Sequence, residues 1–242
     1  MKQIAKSLVV MGALAVAGSA VAEFGELSPY AGIDLQNSWM KMKSPFDSIA
    51  KKSFPGATLH LGTKFHENFG VEVGYHWSKQ QSKDYTIANG TNFGAIPATG
   101  AANATNAAIT GKTKIRRSGA HLDLVGFLPV ADCFELMGSV GYGWIQPKIS
   151  ATAAATAGNA ATTRVVDAIK GLSTKSKGVF RLGLGASYMI TDMVGLRAKF
   201  GWESTSALRL KESNPATLSA LNLNTKAFKS SVTGSAGVFV KF

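Results

Sequence analysis

Eight stretches of this chain alternate apolar and polar side chains with period two, and no other feature limits the possible folds as sharply. In the last stretch Phe228, Val232, Ala236, Val238, Val240 and Phe242 share one face, against Lys229, Ser231, Thr233, Ser235 and Lys241 on the other. The same pattern runs from Ala31 to Trp39, Leu59 to Phe65, Phe69 to Trp77, Ala120 to Leu128, Phe134 to Trp144, Phe180 to Tyr188 and Val194 to Trp202. Each run is roughly 9 to 12 residues long, the length a tilted strand needs to cross the hydrocarbon of a bilayer. Soluble sandwiches and lipocalin-like barrels also alternate, but they bury the apolar face inside.

Three features favour the membrane. Connections after the second, fourth and sixth runs are short (HEN, PVADC, MITDMV), whereas those after the first, third, fifth and seventh are long. Transmembrane barrels sort their connections in this way, with short turns on one side and long loops on the other. The four tryptophans, Trp39, Trp77, Trp144 and Trp202, each end an odd-numbered run on the apolar face, just before a long loop. At the opposite ends Phe65, Phe69, Phe134, Tyr188 and Phe242 lie beside the short turns. Two aromatic girdles follow, at the depth where amphipathic rings favour a membrane interface. Finally, the polar face mixes glycines with charges, which suits the filled interior of a small barrel.

The expected fold is therefore all-β: an eight-stranded antiparallel transmembrane up-and-down β-barrel over residues 23–242. Ten strands result if the connection 146–176 folds into a hairpin of its own. A sheet in lipid avoids open edges only by pairing its first strand with its last, which would hold the final strand and place Phe242 in the lower girdle.

Residues 1–22, with Lys2 and Lys6, an apolar stretch from Leu8 and Ala20-Val21-Ala22 at the end, have the layout of a cleaved secretory signal. Its apolar stretch is shorter than the roughly 20 residues a helical span needs. The single cysteine, Cys133, excludes an internal disulfide. Net charge is +12, or +10 without the two signal lysines, and favours anionic surfaces. Export points to membrane phosphate, and no base-stacking aromatics line a basic groove, so nucleic acid is not an expected partner.

On the inward parity lie Asp34, Lys64, Glu72, Asp123, Glu135, Arg181, Arg197, Lys199 and Glu203, together with Arg117 and Lys229. Enclosed charges must pair, so these residues are expected to form a charged plug in the lumen. Lys41, Lys43, Lys51, Lys52, Lys112 and Lys114, with Arg116 and Arg117, stand just above the upper girdle, where lipopolysaccharide presents its phosphates. A catalytic reading would draw on His60, His66, His76 and His121 with Ser78, Asp84, Asp123, Glu72 and Glu203. His76 with Ser78, and His121 with Asp123, point to the lumen, whereas a lipid-modifying site must face the outer leaflet. They are expected to belong to an interior polar network, with no catalytic, cofactor or metal site. The connections containing TIANGTNFGAIPATG and ISATAAATAGNAATTR are of low complexity and read as loops, while VVDAIKGL, residues 165–172, reads as a short helix or an extension of the strands.

PYAGIDLQNSW, Pro29 to Trp39, resembles the opening strand of the small outer-membrane β-barrels, the family of the OmpA transmembrane domain and its OmpX-like relatives. The terminal aromatic on an alternating strand is similar to that family's assembly signal, which implies the barrel insertion machinery as a partner through Phe242. The resemblance implies a Gram-negative outer membrane and a structural or small-pore role. The alternatives are a surface adhesin or antigen acting through the loops, with a host receptor as partner, and then a lipid A-modifying enzyme. No periplasmic peptidoglycan-binding domain is expected after Phe242.

Overall fold

The computed structural model describes residues 27–43, 49–87, 108–155, 166, 173–174, 176–205, 210–211 and 228–242. The signal over 1–22 and most of VVDAIKGL lie outside these residues. The strands are β1 (Ser28–Met42), β2 (Ser53–His66), β3 (Phe69–Ser78), β4 (Gln81–Ile87), β5 (Ile109–Ala131), β6 (Phe134–Ala155), β7 (Ser173–Thr174), β8 (Lys177–Met189), β9 (Val194–Glu203), β10 (Leu210–Lys211) and β11 (Phe228–Lys241).

Nine of these strands form one antiparallel sheet that closes on itself. Both β3 and β4 pair with β5, one above the other, so the nine segments fill eight positions of a ring. The ring closes where β1 pairs with β11, from Tyr30 opposite Lys241 to Trp39 opposite Val232 and beyond. Residues 146–155 continue β6 against β5 rather than turning into a hairpin of their own, which removes the ten-strand alternative. Among the described residues, the separate β7 and β10 pair only with each other.

The period of two is carried into space through the middle of the ring. Ile33, Leu35, Leu59, Leu61, Leu122, Leu124, Leu184 and Val238 are exposed on the outside, while Asp34, His60, Glu72, His121, Asp123 and Arg197 are buried inside. Such a molecule is inverted relative to a water-soluble protein, whose apolar face turns inward.

Towards the long-loop end this polarity turns over. Met40, Met42, Phe54, Tyr85, Ile109, Ile115, Ile145, Val179 and Phe228 form a buried apolar cluster inside the ring. On the outside at that level, Lys41, Lys114, Arg116 and Lys148 are exposed. A second interior cluster, Tyr30, Val125, Phe127, Met137 and Phe239 with Met189 against it, fills the short-turn end.

Three expectations change. Strands β5 and β6 are 23 and 22 residues long, about twice the length of a membrane crossing. Ile149–Ala155, read from composition as loop, is strand, because Ala151 and Ala153 turn small side chains inward into the upper cluster. Phe228 and Lys229 exchange faces: the register shifts between Lys41 and Met42, so Phe228 is buried inside and Lys229 is exposed. An extra residue at a β-bulge reverses parity beyond it, which a count of alternation cannot register. A similar slip at Lys79–Gln80 separates β3 from β4 and turns Tyr85 inward.

Candidate functional site: the charged belt of the lumen

Between the two apolar clusters lies a belt of buried ion pairs. Arg197 of β9 donates Nε to Asp34 Oδ1 (2.9 Å), Nη2 to Asp34 Oδ2 (2.5 Å) and Nη1 to Glu72 Oε2 (2.6 Å). Lys199 Nζ reaches the other oxygen of Glu72 at 2.9 Å, and the Tyr30 hydroxyl approaches Oε2 at 3.3 Å. The guanidinium thus bridges carboxylates of β1 and β3, the planar fork giving it two directions of donation at once.

Nearer the long-loop end, Glu203 accepts from Arg117 Nη2 and, at 2.6 Å, from Arg181 Nη1. Arg181 Nε stands 3.4 Å from Asp123 Oδ1, and Arg117 Nη1 donates to Ser231 Oγ at 3.0 Å. At the other end Lys64 Nζ meets Glu135 Oε1 at 2.5 Å and lies 4.2 Å from the centre of the Phe127 ring. Four acids (Asp34, Glu72, Asp123, Glu203) and four bases (Arg117, Arg181, Arg197, Lys199) share the central belt, so its formal charge is zero. Neutrality matters because uncompensated charge in a low-dielectric enclosure is very costly.

A cavity within the belt, lined by Asp34, Glu72, Arg117, Arg181, Arg197 and Glu203 among others, offers about 50 Å³ to water. That is room for about four water molecules at roughly 10–15 Å³ each.

Residues 7–235 match the family of the outer membrane protein beta-barrel domain. The chain belongs to that family. This outer membrane barrel is similar to Neisserial surface protein A, with 13% identity over 89% of this chain and 97% of that one and a TM-score of 0.44. It is similar to the outer membrane protein OprG from Pseudomonas aeruginosa, with 13% identity, coverage of 89% and 95%, and a TM-score of 0.47. It is also similar to Ail, the attachment invasion locus protein of Yersinia pestis, solved with the heparin analogue sucrose octasulfate, with 13% identity, coverage of 89% and 97%, and a TM-score of 0.39. Comparison with curated proteins finds no match.

The apolar outer face of the barrel is therefore its lipid face in the outer membrane. Leu184 is 72% exposed there, midway between the outer tryptophans and Tyr188. Leu184→Arg is expected to lower stability in lipid vesicles by about 2–4 kcal/mol, the cost of a cation at mid-depth on a barrel's lipid face. Equilibrium denaturant unfolding of the refolded protein reads it, and a loss below about 1 kcal/mol would contradict this depth.

Trp39, Trp77, Trp144 and Trp202 all point outward, and Trp39 and Trp202 flank the same residue, Val232, across three adjacent strands. At the other end Phe65, Phe69, Phe134, Tyr188 and Phe242 also point outward, with Phe134 directly opposite Tyr188.

Of the catalytic candidates, His121 Nε2 stays 3.8 Å from Asp123 Oδ2, while several others are engaged elsewhere. Ser78 Oγ accepts the amide of Arg117 (2.8 Å), His66 Nδ1 accepts that of Asn68 in a turn (3.2 Å), and Asp84 pairs with Lys112. His60, His76 and His121 lay their rings over Gly32, Gly119 and Gly74 of neighbouring strands, at distances where a Cβ would collide. These histidines fill glycine gaps, and the rings of His76 and His121 also stack, 6.4 Å apart. Glu72, His121 and Asp123 bring potential ligand atoms within 4.8 Å of one another. Both oxygens of Glu72 already face Arg197 and Lys199, which makes the group part of the ion-pair belt.

Of the basic residues above the tryptophans, Lys41, Lys51, Lys52 and Lys114 are exposed and Lys43 is half-buried. Lys112 is engaged by Asp84 at 3.3 Å. Arg117, on the inward parity, is buried in the belt and does not stand with them. The apolar clusters that bracket the belt are absent from the sequence reading. Their signal was present: Tyr30, Phe54, Phe127, Met137, Ile145 and Phe239 are large apolar residues on the polar parity.

Proposed function

We propose that this protein is a structural outer-membrane barrel whose lumen is closed to solutes. The observation that carries this reading is the order of the interior: apolar cluster, neutral ion-pair belt, apolar cluster. A solute path would have to cross two regions that repel ions and one in which every charge is already partnered. Planar-bilayer recording from the refolded protein is the test. Bilayers are expected to stay silent or to show only brief, small openings. A large, steady single-channel current would replace this reading with a porin.

Display at the cell surface is the second reading, favoured by the length of β5 and β6. From the level of Trp144, opposite Ala120, the hairpin continues to Ile109 opposite Ala155. That is eleven further pairs, or about 36 Å along the strand at roughly 3.3 Å per residue. A stiff projection of this kind carries the outer ends of β5 and β6 clear of the headgroups, where a surface adhesin or antigen acts. Export by a cleaved signal over residues 1–22 and recognition of Phe242 by the barrel assembly machinery belong to the same proposal. Phe242 supports it by pointing outward while its amide donates to Pro29 O (3.0 Å), which ties it to β1.

A further inference from the structure

Two imidazoles are built into the ion-pair belt without being used by it. His76 of β3 and His121 of β5 are each 3% exposed, and their rings stack with centroids 6.4 Å apart. Each ring fills the gap left by a glycine on the neighbouring strand, Gly119 for His76 and Gly74 for His121. Burial of this kind leaves polar atoms behind. His76 Nε2 and His121 Nδ1 find no hydrogen-bond partner among the described residues, and His121 Nε2 stops 3.8 Å from Asp123 Oδ2.

Charged groups face the pair from several strands. Arg117 of β5, Arg181 of β8 and Glu203 of β9 face His76, while Glu72 of β3, Asp123 of β5, Arg181 of β8 and Lys199 of β9 face His121. On β2, Thr58 lies opposite His76 and His60 opposite Gly74; on β6, Gly141 and Gly143 lie opposite Asp123 and His121. Every carboxylate among these is already held: Glu72 by Arg197 and Lys199, Asp123 by Arg181, Glu203 by Arg117 and Arg181. A proton on either ring therefore adds a net charge to a belt that is neutral without it, inside an enclosure where uncompensated charge is costly. In water, by contrast, an imidazole takes up a proton below about pH 6.5. An open lumen that lets water reach the rings binds protons that the closed one does not, so falling pH favours opening. Linkage sets the size: each freed ring raises the open population about ten-fold per pH unit below roughly pH 6.5. Both rings already line the cavity that such water would widen.

We propose that His76 and His121 form an acid-released latch on the lumen: as neutral rings they pack the belt shut, and their protonation in acid favours an open, water-filled passage. The inference rests on the closed lumen proposed above and adds the condition under which that lumen opens.

Planar-bilayer recording of the refolded protein between about pH 7 and pH 5, above the usual carboxylate range near pH 4, reads the latch directly. Open probability is expected to rise roughly 100-fold from about pH 6 to pH 5, about ten-fold for each of the two rings. His76→Phe and His121→Phe keep a ring in the glycine gap but cannot take up a proton. Each is expected to reduce the rise about ten-fold, and the double variant to flatten it. Should the Phe variants fail to regain heat-dependent gel mobility, His76→Gln and His121→Gln carry the same comparison. A parent protein silent across the whole pH range would overturn the latch and leave the closed lumen standing. An acid response that both single variants keep within about two-fold would also overturn it, since the protons would then be taken up elsewhere. A large, steady current already present at about pH 7 would overturn the closed lumen itself, and the latch with it.

Discussion

Arg197→Ala is expected to cost about 3–5 kcal/mol of unfolding free energy in lipid vesicles, the penalty for removing one partner of a buried ion pair. The size of the effect follows from what is left behind. Asp34 and Glu72 are buried on strands β1 and β3, and Arg197 donates to both at 2.5–3.1 Å. Alanine strands two carboxylates, leaving Lys199 and the Tyr30 hydroxyl at Glu72 and His60 Nδ1, at 3.8 Å, near Asp34. Arg197→Lys keeps the charge and loses the fork, so a smaller deficit is expected. Adding Asp34→Asn to Arg197→Ala, which restores a neutral belt and leaves Lys199 facing Glu72, is expected to recover much of the loss, since the penalty comes from unpaired charge and not from the missing contact. Denaturant titrations of the four proteins decide it. A deficit under about 1 kcal/mol for Arg197→Ala would mean that water replaces the guanidinium freely and that the belt is wet.

The second large effect lies in the outer apolar cluster. Phe228→Ala is expected to destabilise by about 3–5 kcal/mol, the loss of transfer energy plus the cavity left in a packed interior. Phe228 and Phe54 are 2% and 0% exposed and belong to one cluster with Met40, Ile109 and Ile145. Volume-conserving changes such as Met40→Leu are expected to cost less than about 1.5 kcal/mol. Because Phe54 and Phe228 share that cluster, the double alanine variant is not expected to show the sum of the two losses. Thermal unfolding in vesicles, followed by gel mobility, ranks the variants. A Phe228→Ala protein as stable as the parent would mean that this residue faces lipid, as simple parity implies, and that the bulge opposite Lys41 and Met42 is not present.

That last contrast shows what alternation can and cannot reveal. Period two exposes the ring, because Leu35, Leu122, Leu184 and Val238 have no polar alternative on their face. The same counting reads Asp34, Glu72 and Arg197 as inward but is silent on which acid meets which base, since heights depend on strand stagger. Arg197 reaches across to β1 and β3, not to the strand beside it in sequence. Bulges at Lys79–Gln80 and opposite Lys41–Met42 stay hidden because one extra residue reverses every face beyond it. The outer half of β6 is hidden by composition: ISATAAA looks like a flexible linker, yet Ala151 and Ala153 are buried in the upper apolar cluster.

Closure of the ring carries a consequence for how the barrel assembles. Every other seam of the ring joins strands no more than two apart along the chain, whereas β1 and β11 meet across about 200 residues, Asp34 lying opposite Gly237. No turn sets the alignment of that seam, so side chains must. A Cβ on Gly237 would stand 2.1 Å from Ile33 O and 2.3 Å from Asp34 Oδ1, and a two-residue slip brings Ser235 or Phe239 to that place. Asp34 is clamped in turn by Arg197, on the far side of β11. Glycine notch and ion pair together act as a gauge at the moment of closing: misaligned ends find neither, and only the native shear lets the last strand lock to the first.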